Sequence, residues 1–255
     1  MPSLIFLICM STVAGLCIGS FLNVVAYRLP AGRSLVSPGS ACPGCGTAIR
    51  PYDNVPVISW LALRGHCRDC DAEISARYPL TEAATGALFA AVVFATHAHR
   101  AVWLDLCFVA TLVALTRIDL EHRIIPNKIL ALLAVLAIAL TAVVAPSELP
   151  ARLIAAATGG GILAAIAFAY PKGMGMGDAK LVAVMGLVLG SALAPAVFVA
   201  LLAGSLVGVA VIARRGVALG RKSAVPFGPF LALGGLVGLF AGQAIVHGYL
   251  KAVGL

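Results

Sequence analysis

The chain has 255 residues, 61% of them hydrophobic and only 11% charged, with a mean hydropathy of +1.04. No soluble domain of this length has that composition, and the recurring apolar runs argue an all-α integral membrane protein. The net charge of +8 would suit nucleic acid in a soluble protein. In a membrane protein it bears on orientation instead, and no nucleic-acid partner is expected.

Taken in order, the apolar runs predict about eight transmembrane helices, near 4–26, 80–96, 101–116, 128–145, 152–170, 179–194, 195–213 and 226–250. The first follows Met1-Pro-Ser, which lacks the basic residues of a signal peptide, so it reads as a retained span. The sixth and seventh are parted only by Gly190-Ser-Ala-Leu-Ala-Pro195, which predicts a tight hairpin. With the N-terminus outside, segments 27–79, 117–128, 171–180 and 214–225 face inward and hold 15 of the 18 Lys and Arg. Only Arg100, Arg152 and Lys251 remain outside, so the expected topology is N-out, C-out. Small-xxx-small pairs (Gly15/Gly19, Gly186/Gly190, Gly204/Gly208, Gly234/Gly238/Gly242) predict close helix packing, within the chain or between copies in a homo-oligomer. Three parts follow: a first helix at 1–26, a cytoplasmic insert at 27–79, and a seven-helix membrane domain at 80–255.

The insert contains Cys42-Pro-Gly-Cys45 and Cys67-Arg-Asp-Cys70, with 21 residues between them. Two CxxC knuckles suit a tetrahedral four-cysteine zinc site, and a segment this short can bury little core without such a staple. The alternative is two redox pairs or disulfides, which a cytoplasmic location disfavours. Cys9, Cys17 and Cys107 lie in apolar runs and read as small core residues.

Asp178 follows Gly175-Met-Gly177 at the head of an apolar run and is one of only ten acidic residues. An acid at mid-bilayer costs roughly 2.5–3.5 kcal/mol on insertion scales, which makes it a functional candidate by default. The glycines at 175 and 177 allow close approach and unusual dihedrals. Asp119, in Arg117-Ile-Asp-Leu-Glu-His-Arg-Ile-Ile-Pro126, is the second candidate. The topology puts both acids at the cytoplasmic ends of different spans. Two carboxylates sharing one site keep one proton between them, so one acts as acid and the other as base on a water. That chemistry hydrolyses peptide bonds without a covalent intermediate. By itself Asp119, beside Glu121, His122 and Arg123, also reads as a solvated loop acid. Arg117 and Lys180 either tune the pair or meet lipid headgroups. His66, His97, His99, His122 and His247 show no ligand spacing, and there is no Ser/His/Asp set, phosphate loop or HExxH.

Together these motifs make the chain resemble the bacterial type IV prepilin peptidases, integral-membrane aspartic proteases with a GxGD feature. The resemblance runs through Gly19-Ser-Phe-Leu-Asn-Val-Val-Ala-Tyr-Arg-Leu-Pro30, the two cysteine knuckles, Asp53-Asn-Val-Pro56, Ser59-Trp60-Leu61, Arg64-Gly65-His66 and Ile74-Ser-Ala-Arg-Tyr-Pro79 with Glu82. It continues through Asp119 with Ile125-Pro126, Gly175-Met-Gly-Asp178 and Pro226-Phe-Gly-Pro-Phe-Leu-Ala-Leu-Gly234. The resemblance implies cleavage of the basic leader of type IV prepilins or pseudopilins at the cytoplasmic face of the bacterial inner membrane. It also implies N-methylation of the new N-terminus from S-adenosylmethionine. Asp119 and Asp178 match the catalytic aspartates, with Gly175 and Gly177 supporting them. Cys42, Cys45, Cys67 and Cys70 match the zinc knuckles, and Gly65 and Glu82 match positions tied to methylation. His66 stands where many members carry lysine, and the chain has no GxGxxG donor-binding unit.

Three other readings compete: a peptidase that does not methylate, a proton-coupled transporter, and an assembly scaffold whose knuckles dock a partner. A transporter would carry repeats, and none is evident. A scaffold would be indifferent to Asp119→Asn and Asp178→Asn.

Overall fold

The computed structural model describes residues 3–97, 101–171, 173–216 and 225–254. His99, Arg100, Lys172, Arg221 and Lys222, which entered the reading of histidines and of charge, lie outside them. Among the described residues the chain is all-helical, with no strand and only two isolated bridges. It divides into two compact units, Met1–Val102 and Trp103–Leu255.

The first unit is built on α1 (Leu4–Arg28) and α3 (Arg77–Thr96), packed as a hairpin. Gly15 and Gly19 make that approach possible. A Cβ on Gly15 would come 2.8 Å from the Gly86 Cα, and one on Gly19 would come 2.7 Å from the Glu82 Cα. Cys9 and Cys17 are exposed on α1, contrary to the expectation of core positions, because the buried stripe of α1 runs through Gly15, Gly19, Leu22 and Asn23 instead. Between the two helices the insert forms a 3-10 turn at Pro51–Asn54 and the short helix α2 (Ile58–Ala62).

The second unit holds α4 (Val102–His122), α5 (Asn127–Val144), α6 (Leu149–Ala169), α7 (Met176–Leu189), α8 (Leu193–Arg215) and α9 (Gly228–Val253). At its centre is α7, apolar on every side beyond Lys180, as a buried helix must be; Leu181, Val182 and Met185 are fully buried. Gly186 lets α7 lie against Ala156 of α6, and Gly238 and Gly242 let α9 lie against Ala192 and Ala196. Gly190 and Gly208 are not close-packing positions within the chain itself. Gly190 turns the chain at φ +57°, and Gly208 meets nothing within 4 Å. The α7–α8 corner is a 3-10 turn, Gly190–Ala192, so Pro195 lies inside the first turn of α8 and does not break the helix.

Six described segments are long and apolar enough to cross a membrane: Leu4–Arg28, Arg77–Thr96, Asn127–Val144, Pro146–Ala169, Met176–Arg214 and Gly228–Val253. One of them, Met176–Arg214, contains both α7 and α8. Helix α4 is outside the set because Asp105, Arg117, Asp119 and Glu121 interrupt its apolar character. It runs six residues past the expected end at 116, which carries Asp119 into the helix and 6% exposure; it is not a loop acid.

Candidate active site

The second unit brings Asp119 and Asp178 together. Asp119 projects from the last turns of α4 and Asp178 from the first turn of α7, and the two carboxylates are within electrostatic range of each other. Each is faced by a glycine N–H. The Gly228 N–H donates to Asp119 Oδ2 at 2.9 Å in a buried bond. The Gly175 N–H faces the Asp178 carboxylate. Helix capping geometry explains the second contact. Gly175 is the N-cap of α7 and Asp178 its third residue, the position from which an acidic side chain reaches back to the N-cap N–H in a capping box.

Neither glycine of the Gly175-Met-Gly177 stretch uses the unusual dihedrals expected of it. Gly175 sits at φ −79°, ψ 140°, an extended N-cap geometry open to other residues. Gly177 is needed for space: a Cβ there would lie 3.1 Å from the Ile125 Cβ. The flanking cations have protein partners. Lys180 Nζ donates to Asn127 Oδ1 at 3.0 Å, tying α7 to the start of α5. Arg117 pairs with Glu121 on its own helix at 3.0 Å.

The first unit brings the four cysteines together, with all four Sγ atoms within 4.8 Å of one another. Cys42 Sγ and Cys70 Sγ, from different knuckles, are 3.7 Å apart. A tetrahedral ion with metal–sulfur bonds of about 2.3 Å has sulfur–sulfur edges of about 3.8 Å, so the spacing fits one shared ion. The knuckles are also copies of each other, offset by 25 residues. Cys42 N–H donates to Thr47 C=O and Cys67 N–H to Ala72 C=O, each at 2.9 Å. Gly46 and Asp71 both take positive φ, and bridges Ala41–Ala48 and His66–Glu73 close each copy. Only the cysteines repeat in sequence, so the copy is visible in the backbone alone.

The thiols titrate unequally. The Thr47 hydroxyl and N–H hold Cys45 down to about 6. At Cys42 the Cys45 and Gly44 N–H groups lower the thiol. At Cys70 the Ala72 N–H also lowers it, but the crowding of Cys45, Cys67 and Cys42, with partial desolvation, wins and pushes it up to about 12. Four sulfurs this close cannot all ionise without a cation among them. The knuckles are braced by two ion pairs, Arg68–Asp53 at 2.7 Å and Arg50–Asp69 at 3.1 Å. Arg68 holds the Asp53 carboxyl below its usual range.

Gly65 and Glu82 belong to the same unit but do different things. Gly65 is buried at φ +76°, and a Cβ there would come 3.0 Å from the Trp60 ring. Trp60 is fixed in turn by its Nε1–H to the Ile74 carbonyl at 2.8 Å. Glu82, 8% exposed on α3, accepts the Val57 N–H through Oε2 at 2.7 Å. Val57 is strained: φ +62°, ψ −50°, with Ile58 N–H bonded to the Pro56 carbonyl at 2.6 Å. That is a non-inverse γ-turn, a rare conformation and rarer still for a β-branched residue.

A family model described as the Bacterial Peptidase A24 N-terminal domain matches residues 13–96, and one described as the Type IV leader peptidase family matches 106–213. The chain belongs to the type IV leader peptidase family. Among similar proteins, the prepilin leader peptidase/N-methyltransferase of Burkholderia pseudomallei (strain 1026b) is 37% identical over 90% of this chain and 84% of its own length. The proteins of the same name from Pseudomonas aeruginosa and Bacillus subtilis are each 33% identical. They cover 98% and 94% of this chain, and 96% of their own lengths. No solved structure matches. Within this family member, sequence reasoning named both aspartates and all four cysteines. It assigned no role to Gly228, whose place between Phe227 and Pro229 at the start of an apolar run was the available signal, nor to Asn127.

Proposed function

We propose that the chain is a membrane aspartic endopeptidase that removes the leader of type IV prepilins or pseudopilins and N-methylates the new N-terminus. The observation that carries the peptidase half is the convergence of Asp119 and Asp178, from two helices, each facing a backbone N–H at the start of a helix. Those N–H groups, and the positive helix ends they belong to, support negative charge where lipid alone would not. Two adjacent carboxylates share a proton. The ionised one takes a proton from water as the water attacks the scissile carbonyl, and the protonated one gives its proton to the carbonyl oxygen. Collapse of the tetrahedral species sends a proton to the leaving amine, and no covalent enzyme intermediate forms.

Membrane placement follows from the same features. The excess of Lys and Arg in 27–79, 117–128, 171–180 and 214–225 supports eight spans with both termini outside and the aspartates at the cytoplasmic face of the inner membrane. Helix α7 has 14 residues, about 21 Å at 1.5 Å per residue, against a hydrocarbon core of about 30 Å. A helix that short leaves Asp178 sunk toward the bilayer, level with the junction of a substrate's apolar stem and basic leader. Membrane confinement of that stem supplies proximity.

The four-cysteine cluster fits Zn²⁺, held by Cys42, Cys45, Cys67 and Cys70 as a structural ion that fixes the insert. S-adenosylmethionine as methyl donor rests on the family. At Gly65 the face that a Cβ would occupy is covered by the Trp60 ring, 3.0 Å away. The test is cleavage of a tagged prepilin in membranes, followed by mass spectrometry of the mature N-terminus. Wild type should cut and methylate, and Asp119→Asn and Asp178→Asn should insert but leave the leader on. Cleavage by either variant refutes the two-carboxylate mechanism.

A further inference from the structure

We infer that Gly228 is a positioning residue for the proteolytic chemistry, setting which oxygen of Asp119 is presented to water and substrate. The inference rests on the peptidase reading above. Gly228 is the first residue of α9, so its N–H is one of the four donors that a helix start leaves without an intrahelical partner. Here that donor meets Asp119 Oδ2 at 2.9 Å, in a contact spanning 109 residues of sequence. Oδ2 is thereby committed. Oδ1 accepts no bond from the described residues and is the oxygen left for chemistry.

The position requires glycine for space, not for backbone conformation. A Cβ on Gly228 would come 2.7 Å from Asp119 Oδ2, 3.0 Å from its Cγ and 3.1 Å from its Cβ. Any side chain therefore pushes the carboxyl group away from its bond. The Pro on either side of Phe227-Gly228 sharpens the device: Pro226 precedes the helix and Pro229 occupies its second position, where the missing N–H costs nothing. The first turn of α9 thus starts at a fixed place and offers a single donor to Asp119.

The experiment compares Gly228→Ala with Gly238→Ala, a packing control on the same helix whose Cβ would come 2.8 Å from the Ala196 Cβ, away from both aspartates. Leader cleavage, methylation of a leader-free pilin and thermal stability are measured on full-length protein in nanodiscs. Displacing a reacting group by about 1 Å costs about 10²-fold. Gly228→Ala should therefore lose about 10²-fold in kcat for cleavage with KM nearly unchanged, and keep its methylation rate. Gly238→Ala should lose stability but keep kcat per folded molecule. Equal kcat losses in the two variants, or wild-type cleavage by Gly228→Ala, overturn the inference. Failure of wild type to cleave any prepilin overturns the peptidase reading instead, and the pairing is then judged by stability. Asp119→Ala removes the obstructing carboxyl group, so Gly228→Ala should lower the midpoint or abundance in the wild-type background and do so far less beside Asp119→Ala. Additive losses overturn the pairing.

Discussion

Replacing Glu82 is the sharpest test of the insert, because one buried carboxylate holds one strained turn. Glu82 Oε2 accepts the Val57 N–H at 2.7 Å, short enough to be charge-assisted. A hydrogen bond to a charged group contributes about 1.5–3 kcal/mol, and a backbone held in a sparsely populated region costs about 1–3 kcal/mol. The bond and the strain are therefore of similar size. Glu82→Leu leaves the strain without its compensation, so the turn should open more easily by about 2 kcal/mol, a factor of about 30. Hydrogen exchange reads this directly. The Ser59 and Leu61 amides, bonded to the Val55 and Val57 carbonyls, should exchange about 30-fold faster, while α9 amides are unaffected. Glu82→Gln keeps an acceptor and should stay near wild type. Val57→Gly, which takes positive φ without strain, should remove most of the penalty of Glu82→Leu. Since the turn lies beside Trp60 and Gly65, methylation should fall with protection while leader cleavage persists. Wild-type exchange in Glu82→Leu, or a penalty untouched by Val57→Gly, refutes the argument.

Three further outcomes are expected. Gly175→Ala should lower cleavage only slightly, since a Cβ there meets Asp178 Oδ2 at an ordinary 3.4 Å; Gly177→Ala, pressed on Ile125 at 3.1 Å, should lower it more, as initial rates of leader removal will show. Arg152 caps the far end of α7, donating to the Val188 carbonyl at 2.7 Å, so Arg152→Met should destabilise the second unit by about 1–2 kcal/mol in a denaturant series. Arg68 holds the Asp53 carboxyl below its usual value, so this pair stabilises the insert above pH about 4, where the unfolded carboxyl is ionised, and the contribution is lost as pH falls through the lowered folded value. In a carboxyl ¹³C titration, Arg68→Ala should move the Asp53 midpoint up toward about 3.9.

The helices were legible because membrane burial writes long apolar runs, and the cysteines because metal geometry writes CxxC. What stayed hidden was whatever depends on contact across the chain. The apolar run ends near 116, where Arg117, Asp119 and Glu121 interrupt it, yet the backbone stays helical to His122. Arg117 and Glu121 pair one turn apart along the helix, which keeps its polar end helical. Glu82 was named only by family likeness; nothing in its neighbours announces a bond to a strained turn 25 residues earlier. The γ-turn itself is illegible, since Val is the residue that sequence rules would exclude from positive φ.

The GxGD stretch shows how a local rule and a distant contact combine into one site. Gly175 and Asp178 are set three apart because an N-cap and the third helical residue are three apart, so the acid finds an N–H within its own turn. Asp119 has no such option. It lies near the C-terminal end of α4, where exposed carbonyls disfavour a carboxylate. Its compensating donor must come from another helix start, and Gly228 supplies it. One aspartate is thus held by helix α7 itself, while the other depends on α9 arriving in register. Changes that displace the first turn of α9 should therefore silence cleavage through Asp119 while the Gly175–Asp178 contact stays intact. This asymmetry separates the two carboxylates before any substrate binds.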